Sequence, residues 1–192
     1  FGPKKIRSTY YVTESDFVAC HNASYLEKYP MAQDCKPGGI FLINCGYDVK
    51  QLSQVLPAEA KRYIAANHVQ VYTIDAEKLG AELGLGNKYN SILQAAFFKL
   101  ANIIPIEDAE KYMKNAIVAS YGHKGDDVIK KNFAAVDAGL QNLVKIEIPE
   151  SWMNAVPAKH TASKAKRSNN EMLNEFVTKI QEPANAMTGD SI

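Results

Sequence analysis

Paired cysteine is the first thing this chain lacks. Its 192 residues hold only three cysteines, Cys20, Cys35 and Cys45, widely spaced and without a C-x-x-C pair. An odd, scattered set disfavours a disulfide framework, a zinc site or an iron–sulfur cluster, and it fits a reducing cytoplasm. Long apolar runs are missing too. None approaches the roughly 18 residues that a membrane-spanning helix needs. A formal net charge of +1 provides no field for attracting nucleic acid or an anionic membrane. Catalytic signatures are equally scarce, with no G-x-S-x-G elbow, no H-E-x-x-H zinc helix and no persuasive Ser–His–Asp set. Cys20 and Cys45 read as small core residues, and His68 and His123 as surface residues. The opening Phe1-Gly2-Pro3-Lys4-Lys5 has neither an initiator Met nor an apolar signal core, so the chain reads as cut from a longer one.

What is present is an alternation of short apolar runs and amphipathic stretches. Thr9 to Val12 reads as extended. Phe17-Val18-Ala19-Cys20 and Ile40-Phe41-Leu42-Ile43 are continuous apolar runs of the kind buried on both faces of a parallel sheet. Lys36-Pro37-Gly38-Gly39 gives a turn signal before the second. Val69 to Asp75 is a third strand. Between them, Ala23 to Lys28 and Ala58 to Asn67 read as helices, the latter with Pro57 at its first turn. After Asp75 the spacing predicts helices over Ala76 to Leu83, Asn90 to Ile104, Ile106 to Tyr121 and Asp126 to Val144, then a short strand at Lys145 to Ile148. The expected fold class is α/β, a Rossmann-like three-layer domain on a parallel sheet with a helical second half. The domain spans 1–152. Residues 153–192 read as an Ala-, Lys- and Ser-rich linker and a short amphipathic segment, Glu171 to Ile180, toward a further domain.

Two places carry candidate chemistry. Gly84-Leu85-Gly86-Asn87-Lys88-Tyr89-Asn90 leads straight into the predicted helix at Asn90, with Asn90 or Ser91 as its cap. A glycine loop at a helix N-terminus beside a lysine can hold a phosphate; equally, the glycines can simply end the preceding helix. The loop is neither G-x-G-x-x-G, since Tyr89 takes the third glycine position, nor a Walker loop. The second place is the carboxyl edge of the sheet, where open α/β sheets bind ligands. His21 and Asn22, then Asn44 and Cys45, then Asp75 follow successive strands, and helix capping accounts for most of them.

Ile6-Arg7-Ser8-Thr9-Tyr10, Asp16 to Asn22, Lys36 to Gly39, Gly84 to Lys88, Gln94 to Leu100, Ala119 to Gly125 and Pro149-Glu150-Ser151-Trp152 occur in that order and spacing. Together these blocks resemble the gamma-type domain of pyruvate:ferredoxin (flavodoxin) oxidoreductase, of the 2-oxoacid oxidoreductase family, from Phe1 to about Trp152. The resemblance implies a piece of a large enzyme that converts pyruvate and coenzyme A to acetyl-coenzyme A and carbon dioxide. It also implies thiamine diphosphate, Mg2+ and 4Fe–4S clusters in other domains of the parent, a parent homodimer, and ferredoxin or flavodoxin as electron acceptor. This chain, with no cluster-spaced cysteines and no G-D-G signature, is then expected to hold no cofactor of its own and to be inactive alone. The expected role is to cover the active site and help bind coenzyme A through Phe1, Gly2, Asn22, Asn44, Gly86, Lys88 and Asn90. Lys88 stands where the family commonly has arginine, which keeps the charge but not the bidentate geometry. The alternative is a structural domain that docks against other domains or the dimer partner and touches no ligand.

Overall fold

The computed structural model describes residues 5, 12, 14–157 and 169–185. The segment expected to be extended at Thr9 to Val12, apart from Val12 itself, and most of the linker lie outside the described residues. A four-stranded sheet forms the centre: β1 (Ser15–Cys20), β2 (Cys35–Asn44), β3 (Gln70–Ile74) and β4 (Val144–Ile146), in that spatial order. β1, β2 and β3 run parallel. Strand β2 is hydrogen-bonded along both edges, and Phe41, Leu42 and Ile43 of its apolar run are buried, on both faces. Phe41 and Ile43 point into one core and Leu42 into the other, as the twofold alternation of a strand requires.

Two helical layers cover those faces. On one side are α1 (Val49–Val55) and α2 (Ala58–Ala66), where Leu52, Leu56 and Ile64 bury against Phe41, Ile43, Val69 and Val71. Trp152 closes this side, its Nε1 donating to Ser53 Oγ at 2.8 Å. On the other side lie α3 (Ala76–Glu82), α4 (Asn90–Ala101) and α6 (Asp126–Gln141), with Ile92, Ala96 and Ala135 packed on Leu42 and Ile74. Helix α5 (Ile106–Tyr121) does not reach the sheet. Its Met113 and Ile117 pack on Ala95 and Val136 from outside α4 and α6. Lys114 ties α5 to α6, bridging Glu110 and Asp137 at 2.7 Å each, and both carboxylates raise its pKa. Residues 171–185 form one further helical run, α7 (Glu171–Phe176), a π turn (Val177–Gln181) and α8 (Glu182–Asn185). Among the described residues no helix is long and apolar enough to cross a membrane.

The α/β class and the helical second half stand, with corrections, among them that the helix expected over Asp126 to Val144 ends at Gln141 and the last strand is Val144–Ile146. The sheet is mixed: β4 is antiparallel to β3, with Val144 opposite Thr73 and Ile146 opposite Val71. The chain leaves α6 beside the carboxyl end of β3 and runs straight back, without the crossover a parallel partner needs. Lys36-Pro37-Gly38-Gly39 is not a turn before β2 but a bulge within it, because pairing jumps from Ser15–Cys35 to Phe17–Ile40. A Cβ on Gly39 would stand 2.9 Å from the Lys36 carbonyl oxygen, so the bulge needs glycine there. Ala23 to Lys28 shrinks to a single 3-10 turn, Ala23–Tyr25. The helix expected to run to Ile104 stops at Ala101, where Asn102 turns left-handed at φ 47. Helix α1 was not foreseen, although Asp48 and Gln51 form a reciprocal capping box at its start.

Gly139 sets the distance between α6 and α4. A Cβ there would meet the Ile92 carbonyl oxygen at 2.3 Å and Ala95 Cβ at 2.8 Å. In an open helix, Gly→Ala stabilises by about 1 kcal/mol. Here Gly139→Ala is expected to destabilise by about 1–3 kcal/mol through overpacking, read as a lower denaturant midpoint; a raised midpoint would contradict this packing.

Candidate functional site

The glycine loop takes shape from the end of α3. Gly84 N–H donates to Ala81 O at 3.0 Å and Leu85 N–H to Gly80 O at 2.8 Å, with Gly84 at φ 69. That pair of bonds is a Schellman helix stop, which demands the left-handed glycine. Gly86 bends the chain again at φ 55, and Lys88 N–H closes on Leu85 O at 3.1 Å. The loop thus spends three of its own N–H groups internally. Helix α4 then starts at Asn90 with Tyr89 in the cap position and no side-chain cap bond. Tyr89 O accepts from Ile92 and Leu93 instead, which corrects the expected cap at Asn90 or Ser91. Both side chains remain available to the cleft beside them.

That cleft, of about 470 Å³, lies between the loop and the α5–α6 corner. Lys88, Asn87, Asn90 and Ser91 form one wall, and Tyr121, Lys124, Lys131 and Asn132 the other. Lys131 reaches across to the loop: a Cβ on Gly84 would lie 3.9 Å from its ammonium nitrogen. Asp127, one turn before it, pairs with Lys131 at 2.8 Å, and this hydrogen bond holds the carboxyl below its ordinary pKa. Lys124 lies 5.2 Å from the centre of the Tyr121 ring. Lys88, Lys124 and Lys131 thus line one cleft and only Lys131 is paired with a carboxylate there, a charge balance that favours an anion.

The carboxyl edge of the sheet uses its polar groups on itself. Asn44 donates from Nδ2 to His21 O at 3.0 Å and accepts at Oδ1 from Ala76 N–H at 2.9 Å, stitching the ends of β1 and β3 together. Asn22 Oδ1 caps the 3-10 turn through Ser24 N–H, and Asp75 Oδ1 caps α3 through Lys78 N–H. Of the residues singled out in the sequence, Lys88 and Asn90 line the cleft. Gly86 shapes the loop without lining it, and Asn22 and Asn44 lie elsewhere, at the strand ends. Phe1 and Gly2 lie outside the described residues. Sequence reasoning passed over Lys124, Lys131, Asn132 and Tyr121; the first and last fall in the Ala119 to Gly125 block, whereas Lys131 offered only its four-residue spacing from Asp127.

Cys20, Cys35 and Cys45 are all buried. Burial pushes all three thiols up, Cys35 and Cys45 to about 11, with Asp34 adding to the shift at Cys35. Such thiols are poor nucleophiles and poor ligands. Among the described residues no group of His, Cys, Asp and Glu is placed to hold a metal ion.

Residues 1–142 match the family described as Pyruvate ferredoxin/flavodoxin oxidoreductase. The whole chain is 43% identical, over 193 residues, to the pyruvate:ferredoxin oxidoreductase of Moorella thermoacetica. It is 42% identical, over 192 residues, to the pyruvate-flavodoxin oxidoreductase of Enterobacter agglomerans. It spans 16% of the length of each of these relatives. The crystal structure of the pyruvate oxidoreductase subunit PORC from Thermotoga maritima aligns at a TM-score of 0.52 and 17% identity, covering 71% of this chain and 67% of that one. At that identity the likeness is one of fold.

Native protein at pH 8 is expected to leave all three thiols unreacted toward an aromatic disulfide reagent, and guanidinium to release all three; rapid native labelling would contradict their burial. Because folding raises Cys35 and Cys45 from 9.0 to about 11, the folded state holds protons that the unfolded chain has lost in that interval. Their contribution to stability is complete below pH 9 and falls as the pH rises toward 11, which Cys→Ser variants in pH-resolved denaturation should flatten.

Proposed function

We propose, from the premise that this chain belongs to the pyruvate ferredoxin/flavodoxin oxidoreductase family, that it is one domain of an enzyme converting pyruvate and coenzyme A to acetyl-coenzyme A and carbon dioxide. Electrons pass to ferredoxin or flavodoxin. The domain's own part is to cover the active site and to grip the phosphates of coenzyme A. The observation that carries this reading is the cleft where Lys88, Lys124 and Lys131 converge beside the glycine loop.

Coenzyme A is polyanionic, and a lysine cleft meets that charge without needing a titratable switch. Each ammonium–phosphate contact near the surface contributes roughly 1.5–3 kcal/mol when well formed, less where water screens it. Asn90 and Ser91 add neutral donors, and Asp127 keeps Lys131 extended over the loop. Thiamine diphosphate, Mg2+ and 4Fe–4S clusters belong to the same reading as groups of the parent enzyme. Among the described residues, the buried thiols and scattered carboxylates do not fit a cluster or a diphosphate-bound metal, so no redox step is assigned to them. Residues 1–152 form the domain, and 153–192 connect it onward within a cytoplasmic homodimer. On this reading the isolated chain is inactive.

A second reading, a docking domain without a ligand, draws on the exposed apolar side chains Met172, Leu173, Phe176 and Ile180. The two separate cleanly in the intact enzyme. Lys88→Ala is expected to raise the KM for coenzyme A about ten-fold, near 1.4 kcal/mol, while the KM for pyruvate stays put. The increment should shrink as salt rises. An unchanged KM for coenzyme A would favour the docking role.

A further inference from the structure

The sheet ends at β4, and no strand lies beyond it among the described residues. Its inner edge is taken by β3. Every second peptide group of β4 therefore points away from the sheet, where an added strand can pair with it. The sequence of this edge, Val144-Lys145-Ile146-Glu147-Ile148, alternates apolar and charged residues up to Pro149. Ile146, opposite Val71, is buried in the α1–α2 core, and Ile148 packs on that same core. Val144 shares this face yet is 55% exposed. Lys145 and Glu147 take the other face, both exposed, with the Lys145 ammonium 6.0 Å from the centre of the Tyr72 ring.

A groove flanks each end of the edge. One, of about 490 Å³, has Tyr47, Val49, Val144 and Ile146 in its walls. The other, of about 540 Å³, has Ile64, Ile146, Ile148 and Met153. A lysine alone blunts an exposed edge. Here the lysine stands one residue before Ile146 and a glutamate one residue after it, so the edge is complementary to its own reverse.

We infer that β4 pairs antiparallel with β4 of a second copy of this chain, about a two-fold axis at Ile146. The axis sets Lys145 of each copy opposite Glu147 of the other, giving two pairs of opposite charge on one face. On the other face Val144 meets Ile148 of the second copy at both ends. The incoming Ile148 enters the groove beside Val144, and the incoming Val144 enters the one beside Ile148, which covers the exposed valine. Directly opposite residues of an antiparallel pair share a face, so charge meets charge and apolar meets apolar throughout. A slip by one residue sets charged side chains against apolar ones. A slip by two sets Lys145 against Lys145 or Glu147 against Glu147, so the charges fix the register. β4 adds nothing to the lysine cleft, and the inference stands apart from the coenzyme A reading.

Two measurements on the intact enzyme test it. Carbodiimide coupling joins a lysine amine to a carboxylate in contact with it. After chymotryptic digestion, mass spectrometry is expected to find two copies of the same peptide joined from Lys145 to Glu147, a product that only two chains can give. Hydrogen exchange reports on the edge itself, and the amides of 144–148 that face away from β3 are expected to exchange slowly. Lys145→Glu and Glu147→Lys each set like charges opposite one another and should speed that exchange about ten-fold. The double variant Lys145→Glu/Glu147→Lys restores both pairs and should restore the slow exchange. The KM for coenzyme A should stay put in all three. Slow exchange without the self-joined peptide would mean that another segment covers the edge; fast exchange in the unaltered enzyme would mean that nothing does. Either result overturns the inference, as does a double variant that exchanges as fast as the single ones.

Discussion

Helix α6 lies against α4 because position 139 carries no side chain, and the candidate site depends on that approach. With Gly139 almost touching the Ile92 carbonyl, α6 packs close enough for Ala135 to join the sheet-side core and for Val136 to meet Met113 and Ile117 of α5. Lys99 of α4 donates to the Leu140 carbonyl and secures the far end of the contact. Lys114 fixes α5 to α6 through two carboxylates. The α5–α6 corner is thereby held opposite the glycine loop, and Tyr121, Lys124 and Lys131 face Lys88 and Asn90 across a cleft. A wider α4–α6 separation would carry Lys131 away from the loop, and the convergence of positive charge would be lost.

Polar groups of the two expected binding regions meet different fates. At the sheet's carboxyl edge, Asn22, Asn44 and Asp75 are consumed by backbone groups next to them, since a strand end and a new helix start both leave peptide groups that need partners. Around the glycine loop the backbone satisfies itself through the Schellman bonds and the Tyr89 carbonyl. The side chains of Lys88, Asn90 and Ser91 are then free to line the cleft. Of the two uses of the glycines that the sequence allows, the helix stop is the one seen: they end α3, and in ending it they set Lys88 opposite the lysines of the other wall.

Local patterns were legible where one segment contains its own cause. Helix α5 begins and ends where its apolar stripe and Pro105 predict, and Ile40 to Ile43 is buried as its uninterrupted apolar run requires. What depends on distant segments was not. The direction of β4 follows from where four helices deliver the chain, and the bulge at Gly38-Gly39 follows from register with β1. Helix α1 is short, and its Asp48–Gln51 box was readable but unread. At the site, Lys88 stood out beside its glycines. Lys124 and Lys131 gain meaning only when α6 folds back over the loop, and no spacing rule connects residues so far apart in sequence.

The central claim is that ligand contact falls on the glycine loop and the α5–α6 corner and not on the strand ends. Amide hydrogen exchange of the intact enzyme, with and without coenzyme A, tests it most directly. The account predicts slowed exchange in 84–93 and 121–132 on addition of coenzyme A, with 21–24 and 44–47 unchanged. Protection confined to 21–24 and 44–47, with the loop and corner unaffected, would contradict it.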